Sequence, residues 1–275
     1  GASVGKFEAV SFPNNSPEES LSILNKNSEK FIGIDSSDLK QVHDVIHSID
    51  DTDNYAKIGG ACAFAITIAA TESAAEAENK QFFQMINSKS NLKFPFPLGN
   101  ILGGGAHAGP GTPDIQEILV ASIGAKTVRE SIDMNLQVHK ELKKLILKGD
   151  PTFTNGRGDE GGWAPKFNNE EALDISVKAI ENLGFTLGKE VALGVDFASS
   201  TQWNEEKKKY VYDRAGFEND SGEQIEFASG IIDKYKLIYA EDAVHEEAFE
   251  DMAEITKKFP NSMITGDDLT VTNNK

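Results

Sequence analysis

The sequence has a single cysteine, Cys62, in 275 residues. One thiol forms no internal disulfide and no multi-cysteine zinc site, so both are excluded, and Cys62 is expected to be a small buried hydrophobe. There is no run of about 18 apolar residues that would predict a membrane-spanning helix. The first residues also show no charged-then-apolar leader pattern. We therefore expect a cytoplasmic protein with no membrane partner.

Basic residues are few, with 27 Lys and Arg against 44 Asp and Glu and a net charge of −17. Nucleic acids and anionic membranes bind basic surfaces, so this balance argues against both as partners. An anionic substrate would need local positive charge, and a bound divalent cation is the obvious source. Hydrophobic residues make up 39% of the chain, which is enough for a sizeable core in one or two domains.

The first part of the chain has helical patterns. The stretch "SSDLKQVHDVIHSI" repeats apolar residues at the spacing of one helix face. The stretch "ACAFAITIAATESAAEAENKQFFQMI" predicts a helix that begins inside the protein and ends at its surface. Two prolines in "KFPFPLG" then stop any helix. We place a domain boundary there, between a first domain of residues 1–93 and a second of residues 94–275.

The second domain alternates strand-like and helix-like segments, which places the protein in the α/β class. "PLGNIL" and "QEILVAS" predict strands, and "SIDMNLQVHKELKKLILKG" predicts a helix closed by Gly149. The next helix carries a capping-box pattern, Asn168 with Glu171, and a stop at Gly184. Such alternation predicts a parallel sheet with helices outside, either open or closed into a barrel. We assign about five strands, whereas a complete (β/α)8 barrel needs eight.

The last three predicted strands each end in an acid: Asp196 in "LGVDFAS", Glu241 in "IYAEDAV" and Asp267 in "ITGDDL". Strand ends of a parallel sheet converge on one rim, where three carboxylates repel one another unless a cation lies between them. Hard oxygen ligands suit Mg²⁺. The alternative is that these acids are helix N-caps or solvated rim residues.

A second polar group lies upstream. "NGRGDEGGWAP" places Glu160 among glycines, Gln116 and Glu117 lie on the second predicted strand, and His107 lies in the loop "GGGAHAG". Paired carboxylates near a metal can hold one proton, because like charges raise one pKa, and this produces a general acid. The alternatives are a structural loop histidine and an ordinary turn at "RGDEGG". The glycine loop lacks the Lys-Ser/Thr ending of a phosphate-binding P-loop.

Seven segments, in this order, resemble the enolase family: "GASVGKFEA", "KIGGACAFAITIA", "GGGAHAG…DIQE", "GDEGGWAP", "GVDFASS", "YAEDA" and "TGDDLTVTN". The loop "PGTPDIQE" is similar to the archaeal branch. The resemblance implies a Mg²⁺-dependent lyase of glycolysis and gluconeogenesis that interconverts 2-phosphoglycerate and phosphoenolpyruvate. It also implies a (β/α)8 barrel, incomplete in this chain, preceded by a smaller α+β domain whose first strand is missing.

The resemblance assigns roles residue by residue. It implies that Asp196, Glu241 and Asp267 bind the catalytic Mg²⁺. Ser3 would close over the site and bind a second Mg²⁺. Glu160, with Glu117 beside it, would protonate the departing 3-hydroxyl, and His107 would contact substrate from a mobile loop. The substrate-binding residues implied are Ser3, His107, Gln116, Glu117, Glu241 and Asp267. Family members are homo-oligomers, so a dimer or octamer is expected.

Departures from the family pattern leave two alternatives open. Ala243 stands where the family usually has a proline. The lysine that serves as the family's base, and the groups that hold the substrate phosphate, would lie beyond these 275 residues. We therefore expect the 275-residue chain alone to be inactive. The alternatives are a non-catalytic, enolase-like binding fragment and another dehydratase or racemase of the same superfamily.

Overall fold

The computed structural model describes residues 4–87, 89 and 93–273. The chain forms two compact units: Phe7–Lys93, and the combination of residues 4–6 with residues 94–273. We call them the helical unit and the sheet unit and treat each separately. In the described residues, no helix is both long and apolar enough to cross a membrane.

The described residues of the helical unit form four α-helices: α1 (Pro17–Asn27), α2 (Leu39–Ile49), α3 (Gly60–Ala77) and α4 (Phe82–Ile86). The predicted helix at α2 is confirmed, and its apolar face buries Val42 and Ile46 against Ala63 of α3. The prediction of one continuous helix over residues 61–86 is wrong. Asn79 takes a left-handed backbone conformation with φ 52°, which ends α3 just after its last turn.

The sheet unit begins with β1 (Leu98–Gly103), β2 (Glu117–Ala121), α5 (Val128–Gly149), α6 (Asn169–Asn182) and β3 (Ala192–Asp196). A small sheet follows, made of β4 (Trp203–Asn204), β5 (Lys209–Tyr212) and β6 (Phe217–Asn219). The unit continues with α7 (Ser221–Tyr235), β7 (Tyr239–Glu241), α8 (Phe249–Lys258) and β8 (Met263–Thr265). This small sheet was not predicted from the sequence.

The main sheet has the strand order β1-β2-β3-β7-β8. The prediction of a wholly parallel sheet is wrong, because β2 runs antiparallel to both β1 and β3. The cause is visible in the chain: a loop without a long helix joins β1 to β2, whereas parallel neighbours need a crossover. The pairs β3–β7 and β7–β8 are parallel, as expected. Strand β2 therefore places its first residue, rather than its last, at the rim where β3 and β7 end.

Helices α5 and α6 cover the sheet and pack against each other. Val138, Leu142 and Ile146 of α5 are buried in the core with residues of β2 and β3, both of which are buried along their full length. Helix α5 ends at Gly149, as predicted, and the extended backbone of Asp150 follows it as the C-cap.

The predicted limits of α6 are confirmed. The side chain of Asn168 accepts from the backbone N–H of Glu171, and the carboxylate of Glu171 accepts from the backbone N–H of Asn168, each at 2.9 Å. At the other end, Gly184 takes φ 80° and its N–H donates to the carbonyl of Glu181. Only a residue that tolerates this conformation ends the helix without strain.

Candidate active site

Three acids form a row along one rim of the main sheet. Glu117 of β2 is the register partner of Asp196 of β3, and Asp196 is the partner of Glu241 of β7. Asp267 follows two residues after the end of β8, whose Thr265 is the partner of Glu241. Neighbouring strands lie about 5 Å apart, so the four carboxylates share one small region.

A cleft of about 340 Å³ opens at this rim. Seven of the eight residues that the sequence analysis assigned to a site line it: His107, Gln116, Glu117, Glu160, Asp196, Glu241 and Asp267. The eighth, Ser3, lies outside the described residues. The cleft is also lined by Leu98, Asn100, Leu119 and Tyr239, which the sequence analysis did not single out.

The segment that follows Ser3 does reach this part of the sheet unit. A Cβ added at Gly5 would lie 3.1 Å from the Cα of Asp268, so the backbone approaches closely there. The backbone N–H of Lys6 donates to the carboxylate of Glu246 at 2.5 Å, and its ammonium group pairs with Glu247 at 2.7 Å. Gly5 therefore lies beside the turn that carries Asp267, and Lys6 is held by the loop that follows β7.

Asp196 is buried and firmly oriented. One carboxylate oxygen accepts from the side-chain amide of Gln116 and the other from the backbone N–H of Ala198, each at 2.9 Å. Burial, followed by the charge of Glu241, raises the pKa of Asp196 to about 8. A cation between the carboxylates would favour the ionised form and reverse this shift.

Glu241 accepts a hydrogen bond at 2.7 Å from the hydroxyl of Tyr239, two residues earlier on β7. Burial raises the pKa of Glu241, and the negative charge of Asp267 adds to the effect. Tyr239 was not predicted from the sequence to belong to the site. The signal was present, because alternate residues of a strand face the same side and Tyr239 therefore shares a face with Glu241.

Asp242, for which no role was predicted from the sequence, lies close to two acids of the rim. One carboxylate oxygen each from Asp196, Glu241 and Asp242 lie within 4.8 Å of one another. The Asp242 carboxylate, however, accepts backbone N–H groups of Asp267 at 3.2 Å and Asp268 at 2.9 Å. It therefore fixes the turn after β8 and so sets the position of Asp267, which lines the cleft.

The second group is also assembled. His107, Glu117 and Glu160 each place one ligating atom within 4.8 Å of the others, and Nδ1 of His107 lies 2.9 Å from Oε1 of Glu117. Burial, then a hydrogen bond with Glu160 and the charge of Asp196, raises the pKa of Glu117 well above its ordinary value. Glu117 therefore keeps its proton near neutral pH and can share it with Glu160 through their hydrogen bond.

Two loops meet to bring His107 and Glu160 together. A Cβ at Gly158 would lie 2.4 Å from the carbonyl oxygen of His107, so this approach requires glycine. Glu160 itself has φ 62°, and Asp242 beside the other acids has φ 42°. Such left-handed conformations cost about 1–3 kcal/mol each in non-glycine residues and cluster at functional sites.

The raised pKa values predict a pH-dependent stability. For Asp196 the folded protein binds more protons than the unfolded chain between the ordinary pKa of 3.8 and about 8. The free energy of unfolding should therefore fall as pH rises through this window in the metal-free protein. Scanning calorimetry in EDTA should show this fall, with a shallower slope for Asp196→Asn. Added Mg²⁺ should reduce the slope in the wild type, and identical slopes in all three samples would contradict the assignment.

Chemically, the cleft combines two functions. The rim acids offer only oxygen ligands, which suit a hard divalent cation that keeps positions open for substrate oxygens. The His107, Glu117 and Glu160 group can hold and move a proton. A metal and a proton donor facing one cleft suit the removal of a leaving group beside a carboxylate.

Comparison with known proteins agrees with this chemistry. Residues 91–275 match the family described as "Enolase, C-terminal TIM barrel domain", and residues 1–86 match "Enolase, N-terminal domain". The open five-stranded sheet is thus part of such a barrel.

Curated relatives include the enolases of Methanosphaera stadtmanae, 42% identical, Methanothermobacter thermautotrophicus, 40% identical, and Pyrobaculum aerophilum, 38% identical. Each alignment covers 99% of this chain. The chain spans 66%, 66% and 65% of the length of these three relatives, respectively. Since family matches cover both parts of the chain, the chain belongs to the enolase family.

Proposed function

We propose that the protein catalyses the reversible dehydration of 2-phosphoglycerate to phosphoenolpyruvate as a Mg²⁺-dependent enolase. The observation that carries this proposal is the single cleft in which Asp196, Glu241 and Asp267 lie beside the His107, Glu117 and Glu160 group. The relatives' name supports it. The proposal includes cytoplasmic glycolysis as the setting and a homo-oligomer as the working form.

The donor set fits the proposed cation. The oxygens available on Asp196, Glu241 and Asp267 are hard ligands, and Asp196 is already oriented by Gln116 and Ala198. These three acids would hold Mg²⁺. When bound, the cation neutralises the negative charge that develops on the substrate carboxylate as the adjacent proton is removed.

The chain's own residues then act on the leaving hydroxyl. Glu160 is at the open side of the cleft and forms a pair with buried Glu117. Since the pair retains one proton, Glu160 can pass it to the 3-hydroxyl, which leaves as water. His107, which lies beside Glu117, would contact the substrate. In the reverse direction the pair accepts the proton back.

An activity assay on the full-length protein tests this proposal. We expect phosphoenolpyruvate to form from 2-phosphoglycerate, followed by ultraviolet absorbance, with turnover lost in EDTA and restored by Mg²⁺. Sugar acids offered under the same conditions should remain unchanged. Turnover of a sugar acid without turnover of 2-phosphoglycerate would instead show another dehydratase or racemase of the superfamily. No turnover of any acid would favour a non-catalytic binding role.

A further inference from the structure

The turn between β5 and β6 is hydrogen-bonded to the loop that carries His107. The guanidinium group of Arg214 donates through Nη1 to the hydroxyl of Thr112 and to the carbonyl of Pro113, each at 2.8 Å. A longer contact of 3.2 Å reaches the carbonyl of Thr112. Nη2 donates to the carbonyl of Gly105 at 3.1 Å. Gly105 precedes His107 by two residues, so one side chain joins both ends of the loop.

A side chain from the segment after the His107 loop also binds the turn. The carboxylate of Asp114, which is only 4% exposed, accepts the backbone N–H of Arg214 at 3.3 Å and of Ala215 at 3.1 Å. Burial raises the pKa of Asp114, and the two N–H groups oppose that effect. The segment just before β2 thus binds the turn through Asp114, while the turn binds the loop through Arg214.

Thr112 extends these contacts toward the exposed end of the loop. Its hydroxyl accepts from Arg214 and donates to the carbonyl of Gly109 at 2.8 Å. The chain of hydrogen bonds therefore runs from Arg214 to a residue just beyond His107. Residues 109–111 are exposed, so the contacts fix the base of the loop and leave its end in solvent.

The turn is itself anchored. Tyr212 of β5 stacks on Phe217 of β6 with ring centroids 4.6 Å apart, and its hydroxyl donates to Gln224 of α7 at 3.0 Å. Gln224 is fully buried and donates to the carbonyl of Ala243, close after the metal-site residue Glu241. Arg214 therefore projects from a support that is tied to the main sheet.

We propose that Arg214 and Asp114 form a clamp that positions His107 against Glu117. Arg214 is in this view a positioning residue that acts through the loop backbone. The planar guanidinium fork matters because it reaches acceptors at both ends of the loop at once, which a lysine ammonium cannot do. This gives the small sheet, absent from the sequence prediction, a direct role in the site.

Nuclear magnetic resonance on the metal-free 275-residue chain tests the clamp. The chain has five histidines, so labelled imidazole signals are few, and His43 serves as an internal reference. In a chain with Arg214 intact, Glu117→Gln should shift the His107 signal, because the two groups are 2.9 Å apart. In a chain that also carries Arg214→Ala, Glu117→Gln should cause no such shift. The amide of Gly105, which donates to Pro113, should exchange with solvent at least about tenfold faster.

The matched control is Lys207→Ala, which removes a cation from the same small sheet. Within the described part of the chain, Lys207 pairs with Glu218 and its backbone N–H donates to Asn204, and neither partner belongs to the His107 loop. Lys207→Ala should leave the His107 signal shift and the exchange rate of the Gly105 amide at their wild-type values. Arg214→Lys keeps the positive charge but lacks the guanidinium fork, so its His107 shift and Gly105 exchange should be close to those of Arg214→Ala. If Arg214→Ala does not fold, Arg214→Lys provides the test of the clamp. An unchanged His107 shift and unchanged Gly105 exchange in a folded variant would overturn the clamp.

The catalytic consequence rests on the proposed function and is measured separately. In the full-length protein, Arg214→Ala should lower kcat/KM about 10–100-fold, since misplacing a reacting group by about 1 Å has this effect. Lys207→Ala should retain wild-type turnover. Because the resonance and exchange measurements use neither substrate nor metal, they decide the clamp even if the protein has no activity on 2-phosphoglycerate.

Discussion

Asp196→Asn should abolish Mg²⁺-dependent turnover of the full-length protein while the fold remains intact. Of the three acids proposed to hold Mg²⁺, Asp196 is the buried one, and its two oxygens are already oriented by Gln116 and Ala198. Asparagine keeps the shape but removes the negative charge that a hard cation requires. Because even residues that only support a metal ligand cost about 10–100-fold in affinity, losing a ligand should lower Mg²⁺ affinity by more than about 100-fold.

Isothermal titration calorimetry with Mg²⁺ and thermal unfolding decide this prediction together. In EDTA the variant should unfold at the same temperature as the wild type or higher, because burial already disfavours the ionised form of Asp196. Asp233→Asn is a matched control, since Asp233 is exposed on α7 away from the cleft. Wild-type Mg²⁺ affinity in a folded Asp196→Asn protein would remove Asp196 from the metal site.

The rim acids illustrate what the sequence could predict about the site. Asp196, Glu241 and Asp267 were found because each follows an apolar strand, and strand ends in α/β sheets meet at one rim. Glu117 reaches the same rim for another reason, the reversed direction of β2. The antiparallel direction of β2 could have been predicted from the sequence, because a loop without a long helix between two strands favours an antiparallel pair. Glu117 was therefore identified from the segment "DIQE" and its resemblance to the family, and not from a position at the end of a strand.

Other parts of the site depend on contacts that no local pattern reports. Asp242 follows Glu241 directly in sequence, yet its carboxylate holds the turn after β8. Arg214 and Asp114 are 100 residues apart, and their pairing exists only because the β5–β6 turn folds back onto the His107 loop. Periodicity and capping signals describe one element at a time, so they located α2, α5 and α6. They contain no information about which distant loop a side chain contacts.

The two carboxylates of the proton-holding pair should respond differently to mutation. Glu160→Gln should lower kcat of the full-length protein by about 10²–10⁴-fold, because glutamine cannot deliver a proton to the leaving hydroxyl. Mg²⁺ affinity should stay at the wild-type value, since Glu160 is not among the rim acids. Exchange of the proton next to the substrate carboxylate should continue, because a different group removes it.

Glu117→Gln should have the smaller effect on kcat. Burial favours the protonated form of Glu117, and glutamine resembles that neutral form. Asp159→Asn is the matched control, since Asp159 is exposed in the same turn as Glu160 and does not line the cleft. Rapid-mixing assays and deuterium exchange into 2-phosphoglycerate separate the steps. A larger loss in Glu117→Gln than in Glu160→Gln would make Glu117 the acid, with Glu160 then serving to orient it from the open side of the cleft.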